Sequence, residues 1–154
     1  MIDQTIILAA FKALSAEPDP SLVDAISNAS AISGLTEQAS ADLLVAIAVS
    51  ESGGHNDKVS ATQDYCAFQI HLPGATKTAE GYTAPDLQAD VTKCTAVAVR
   101  MVSQSLAACH AKPLKHRLAV YARGKCESDS GRRLSAYKFY LAGVIKRARN
   151  AAKA

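Results

Sequence analysis

Helical periodicity fills most of this chain and is missing between residues 53 and 84. A stretch of about thirty residues without a helix is uncommon inside a compact domain unless it serves a function. Before it, Ile2, Ile6, Ala9, Ala10 and Ala13 predict a first helix over residues 2–15, broken by Glu17-Pro-Asp-Pro. Asp19 is placed to cap a second helix with Pro20 at its first position, and Gly34 to end it. Thr36 is placed to cap a third, which runs to about Ser52 and stops at Gly53-Gly54. Inside the irregular stretch only Tyr65–His71 reads as extended. After it, Pro85 opens a long helix to about Ala111, Pro113 starts another reaching Tyr121, residues 123–130 read as a loop, and a final helix runs to about Asn150. That last helix carries Leu134, Tyr137, Leu141, Val144 and Ile145 on one side and Arg133, Lys146, Arg147 and Arg149 on another.

Composition agrees. Thirty of 154 residues are Ala, against eight Gly, five Pro and no Trp. Ala is the best helix former, and sandwiches and barrels lean on aromatic and β-branched strands, so the chain is expected to be mainly α. Its length suits one domain. The longest apolar run, residues 43–49, is far short of the roughly 20 residues a spanning helix needs. The N-terminus has no positive n-region, so no cleavable signal is expected.

The formal net charge of +3 divides unevenly. Residues 1–90 hold three Lys/Arg and twelve Asp/Glu, whereas residues 91–154 hold fourteen and two. The basic part can meet nucleic acid, a membrane surface or an acidic wall polymer, or simply lie beside the acidic part. Cys66, Cys94, Cys109 and Cys126 form no CxxC pair, which excludes a zinc ribbon or thioredoxin motif. Two disulfides would fit a protein working outside the cytoplasm. Free thiols, or a metal site combining Cys66 with His71 or Cys109 with His110, are the alternatives; no metal or cofactor is expected.

Leu44, Ile47, Ala48 and Glu51 follow the spacing i, i+3, i+4, i+7, so Glu51 extends an apolar helix stripe. Burial and the negative end of the helix dipole would both favour a carboxyl group that keeps its proton, the property of a general acid. The same pattern also fits a stripe that ends one residue earlier, with Glu51 in solvent.

The segment Ile47-Ala-Val-Ser-Glu51-Ser52-Gly53-Gly54 resembles the catalytic Glu-Ser segment of the lytic transglycosylases related to goose-type lysozyme. Cys66-Ala67-Phe68-Gln69-Ile70 is similar to that family's Gly-Leu-Met-Gln motif. Ala119-Val120-Tyr121-Ala122-Arg123-Gly124 is similar to its Ala-Tyr-Asn-x-Gly motif. The resemblance covers about residues 40–125, in the family's order and spacing. The chain departs from the pattern at Cys66, Ala67 and Phe68, at Val120, and at Ala122 where the family has Asn. Residues 121–138 resemble a phage-associated branch.

The resemblance implies a lysozyme-like helical domain over residues 1–154, with a short extended segment beside the active-site cleft. Residues 1–35 would supply N-terminal helices, 36–125 the catalytic motifs and 126–154 a basic helix. It implies cleavage of the β-1,4 bond between N-acetylmuramic acid and N-acetylglucosamine in peptidoglycan, with Glu51 as acid and then base, giving a 1,6-anhydro end. Gln69 and Tyr121 would line the site. Ser52 would hydrogen-bond the site or cap the helix. Tyr65 and His71 are candidate sugar contacts, and without Trp any stacking falls to Tyr65, Phe68, Tyr82 or Tyr121. A hydrolase normally needs a second carboxylate, for which Asp57 and Asp64 are the candidates. The alternatives are a lysozyme using such a carboxylate, a non-catalytic virion structural or ejection protein of the same fold, and a nucleic-acid-binding helical domain. The partners implied are glycan strands and other virion or secretion-apparatus proteins, in the periplasm or cell wall and reached without a recognisable signal peptide.

Helix geometry also orders the cysteines. Cys94 and Cys109 sit on one helix about 22 Å apart, too far to bond each other. Cys109 with Cys126, across a turn and short helix, and Cys66 with Cys94, stapling the loop to the long helix, are the expected pairs.

Overall fold

In a computed structural model of the chain, residues 1–112, 116–118, 120–121, 124–126, 143 and 150 are described. Their architecture is mainly helical, with one two-stranded antiparallel sheet. The central element is a helix over Glu37–Ser52, preceded by helices over Gln4–Ala13 and Pro20–Asn28; in chain order these are α1, α2 and the central α3.

Local signals set both ends of α3. Thr36 Oγ1 accepts from the Ala39 amide at 3.1 Å, satisfying a donor that every helix start leaves without an internal partner. Gly53 ends the helix at φ 69°, and its N–H donates to Val49 O. Glycine takes that left-handed conformation without a Cβ penalty. Each residue from Ser40 to Ala48 is buried, and a helix buried all round needs cover on every side. Helices α1 and α2 pack against it, and the same apolar cluster continues through Ala67, Phe68 and Ile70 to Leu118 and Tyr121.

Three expectations change. α1 faces the core through Ile7, Ala10 and Phe11; of the expected Ile2, Ile6, Ala9, Ala10 and Ala13 only Ala10 is buried, and the fully buried Phe11 ring marks the core-facing side. α2 stops at Asn28 rather than near Gly34: Ala29 is already extended, at φ −66° and ψ 148°, and Gly34 serves a later turn at φ 85°. The long helix expected from Pro85 is two helices, α4 (Ala84–Ala89) and α5 (Val91–Ala108). Asp90 divides them, with φ −136° and its Oδ1 accepting from the Thr92 and Lys93 amides. An Asp that can cap competes with continuing the helix.

The run expected to be extended over Tyr65–His71 folds back on itself. β1 (Asp64–Tyr65) pairs antiparallel with β2 (Ile70–His71), Asp64 opposite His71 and Tyr65 opposite Ile70. Residues 66–69 form the turn, and β2 packs against α5. Cys66 bonds Cys94, and Cys109 bonds Cys126, with Cα–Cα separations of 6.3 and 5.5 Å. These are the expected pairs, and they leave no thiolate for either Cys/His metal site. The helix expected from Pro113, the loop 123–130 and the basic helix toward Asn150 fall largely outside the described residues. Gly143 lies in a turn at φ 75°. No helix among the described residues is long and apolar enough to cross a membrane.

Gly54 tests how tightly the chain closes over the end of α3. At φ 93°, a Cβ there would lie 2.9 Å from Pro18 Cα. Gly54→Ala is expected to destabilise the fold by on the order of 1–3 kcal/mol, measured as a lower urea midpoint with an unchanged m-value.

Candidate active site

Glu51 lies in the last turn of α3 and is 8% exposed, with its Oε1 oxygen buried. The apolar stripe therefore does continue to Glu51. Ser52, beside it, closes the helix end: its hydroxyl donates to Ala48 O at 3.0 Å and accepts from the Gly54 and His55 amides, each at 3.2 Å. Of the two roles expected for Ser52, capping is the one these bonds perform.

The segment ahead of α2 clasps the chain that leaves α3. The Asp19 amide donates to Gly54 O at 2.9 Å. Asp19 Oδ1 lies 3.0 Å from His55 Nδ1, and Oδ2 accepts from the Asn56 amide at 2.8 Å. Asp19 holds the cap position of α2 as expected, but its side chain does not cap that helix. Burial opposes ionisation of Asp19. The Asn56 amide and the His55 hydrogen bond and charge outweigh it and hold the carboxyl below its ordinary 3.8.

Asn56 carries the clasp onward. Its Oδ1 accepts from the Ala67 amide at 3.1 Å, and its Nδ2 donates to Leu87 O at 3.0 Å and Gln88 O at 3.1 Å. The turn it grips is built from left-handed residues other than glycine, Cys66 at φ 67° and Gln69 at φ 50°. Such conformations persist only where the surroundings over-determine them. Gln69 Nε2 donates to Cys66 O at 2.9 Å and Lys58 O at 3.2 Å, and Cys66 is bonded to α5. From the other side the Tyr121 hydroxyl donates to Phe68 O at 2.7 Å. The Tyr121 amide donates to Ser105 Oγ on α5, which in turn donates to Arg117 O.

The Gln69 and Tyr121 motifs therefore meet in one hydrogen bond across 53 positions, and both share the apolar cluster of Ile47 and Ala48 on the helix that ends in Glu51. The remaining expected contacts divide. Tyr65 is half-buried on β1 and His71 exposed on β2. Phe68 is fully buried, so its ring is core and not a platform for sugar, a correction that follows from its inward position in the turn. The half-buried Tyr82 ring has Lys93 Nζ 5.1 Å from its centre, a cation–π contact. Ala122 lies outside the described residues.

Asp57 is exposed. Asp64 is taken up by the hairpin: Oδ2 accepts from Ser60 and Thr62 hydroxyls, both at 2.6 Å, and Oδ1 lies 2.9 Å from His71 Nδ1. Burial opposes its ionisation, yet the Ser60, Thr62 and His71 bonds hold the carboxyl below 3.8. Sequence reading missed Asn56 and the tertiary role of Asp19. It also missed Asp42, a second buried carboxyl group on α3, nine residues before Glu51 and so two and a half turns away on the opposite face. A separate groove of about 610 Å³ between α2 and α5, lined by Asp24, Asn28, Thr95, Arg100 and Gln104 among others, includes none of the expected site residues.

Comparison with known proteins finds no matching family model, no matching curated protein and no matching solved structure.

Two substitutions test the geometry. Tyr121→Phe leaves the buried Phe68 carbonyl without its donor and is expected to cost about 1–3 kcal/mol, read from urea unfolding. Asp64 has a folded pKa below its unfolded one, so its contribution is present above about pH 4 and disappears as pH falls through the lowered folded value. Asp64→Asn is expected to lower stability at neutral pH and to flatten the loss of stability as pH falls below about 4.

Proposed function

We propose that this protein is a peptidoglycan-cleaving lytic transglycosylase in which Glu51 is the acid and the base. The observation that carries the reading is the Tyr121 hydroxyl on the Phe68 carbonyl at 2.7 Å. It joins two of the three resembling motifs, and the third ends in a carboxyl group at the edge of the same apolar cluster.

The chemistry balances on one side chain. Glu51, protonated, gives its proton to the glycosidic oxygen as the bond from that oxygen to muramic C1 breaks. The carboxylate then takes the proton of the C6 hydroxyl as O6 bonds C1. The leaving sugar carries the first proton, the anhydro ring forms, and Glu51 is protonated again. The role requires Glu51 to hold a proton at working pH. An inverting hydrolase would need a second carboxylate about 6.5–9.5 Å away to activate water. Asp64, with both oxygens held in the hairpin and a lowered pKa, is poorly suited to that task, which favours the lyase over a lysozyme.

The substrate is then the glycan strand of the cell wall, and the basic C-terminal part of the chain is available for its anionic polymers. Two disulfides favour action in an oxidising compartment such as the periplasm or on a virion.

Wild-type protein is expected to release 1,6-anhydro-muropeptides from purified peptidoglycan, read by mass spectrometry. Glu51→Gln is expected to lower the rate by at least about 100-fold with its melting temperature retained. Reducing ends in place of anhydro ends would indicate a lysozyme, and equal digestion by both proteins would remove Glu51 from the mechanism.

A further inference from the structure

Asn56 is a buried amide, 8% exposed, in a segment of otherwise polar loop. Nothing in the acid–base step above uses it. Its side chain has one acceptor and two donor hydrogens, and three backbone groups engage them: Ala67 N–H, Leu87 O and Gln88 O. Its own amide is held by Asp19. It follows Glu51 by five residues, with only the Ser52–Gly54 helix closure and His55 between.

We propose that Asn56 is a positioning residue for the cleavage reaction, fixing the turn that carries Gln69 against the helix end that carries Glu51. This inference rests on the transglycosylase reading. Connections from outside the hairpin reach the turn 66–69 from different directions. The Cys66–Cys94 bond and the Tyr121 hydroxyl tie it to α5 and the Tyr121 segment. The Gln69 amide ties it to Lys58 O. Asn56 joins it to the segment leaving α3 closer in sequence to Glu51 than Lys58 does, and the same side chain braces that junction on the C-terminal end of α4. Losing it leaves the turn attached to α5 and to Lys58 O but removes the side-chain tie nearest in sequence to Glu51 and the brace on α4.

The ring closure is sensitive to such a release. Base and C6 hydroxyl must meet while water is kept from C1, and misplacement of about 1 Å can cost on the order of 100-fold in rate. Asn56 therefore bears on which nucleophile reaches C1 as well as on speed.

The test uses the full chain and purified peptidoglycan, with Asn56→Ala and Asn56→Asp. Asp keeps the acceptor for the Ala67 amide but gives up both donations, and it serves where the Ala variant fails to fold. The expected result is a kcat lower by roughly 10- to 100-fold, KM within about twofold, and a smaller ratio of anhydro to reducing ends, together with faster hydrogen exchange at the Ala67 amide in Asn56→Ala. A merely structural role would lower total product in proportion to the folded fraction and leave the product ratio unchanged; that outcome overturns the inference. So does an Asn56→Asp protein with wild-type kcat and product ratio. Wild-type protein that releases no product removes the transglycosylase reading itself, and this inference with it, which separates the two failures.

Discussion

A buried helix that ends inside the protein must have its last backbone groups satisfied without water, and the rest of this structure is arranged around that requirement for α3. The last carbonyls of any helix lack internal partners. Here the Ser52 hydroxyl takes Ala48 O, the Gly53 amide takes Val49 O, and the Asp19 amide reaches across to Gly54 O. The left-handed Gly53 and Gly54 let the chain reverse at once, and Gly54 lets Pro18 approach to a distance a side chain would forbid. The N-terminal segment thus helps to close the helix end that bears Glu51.

The turn 66–69 is the second half of the same problem. Two non-glycine residues in the left-handed region cost of order 1–3 kcal/mol each, and hydrogen bonds to a turn do not by themselves repay a cost of that size, since each is worth about 1 kcal/mol net. A disulfide, a buried amide and a tyrosine hydroxyl hold it from three sides. Covalent attachment at Cys66 stands where the resembling family usually has Gly, and Cys66 is one of the residues with positive φ. Glycine would take that conformation freely; here the bond to α5 is available to hold a residue that would otherwise avoid it.

Legibility in the sequence followed the range of the interaction. The ends of α3 could be read because Thr36 and Gly53 act within four residues of themselves. The cysteine pairing could be read because helix rise rules out Cys94 with Cys109 and leaves the observed pairs as the easy ones. The break at Asp90 could not, since an acidic residue amid Leu87, Val91 and Cys94 looks like a solvated position until its carboxylate is seen taking two amides. Asp19 was legible as a cap by type and position, but a partner 36 residues away took its side chain. Asn56 left no pattern at all: it is one polar residue in a polar stretch, and its partners are backbone atoms, which every sequence has. Phe68 was misread for a related reason, because a turn between polar strands gives no local sign that its centre points into the core. The burial of Glu51 was legible in the periodicity, whereas the chemistry proposed for it came from the resemblance of three motifs.

On the proposed reading, the way the site is held suits the reaction it would perform. A two-carboxylate hydrolase needs two side chains kept at a set separation across a bound sugar, and its precision depends on the relative motion of both supports. A lyase that uses one carboxyl group twice needs a single group fixed against the sugar, with the sugar fixed by its surroundings. Glu51 is on a helix buried all round over Ser40–Ala48, while Asp64 is on a two-residue strand with its oxygens engaged locally. The crosslinks from Asp19, Asn56, Cys94 and Tyr121 converge on the helix end and the turn. Asp19, the carboxylate among them, has its oxygens engaged by His55 and the Asn56 amide. On the proposed reading these contacts fix the helix end that carries Glu51 and the turn that carries Gln69, which is what a mechanism with one proton donor and acceptor would require.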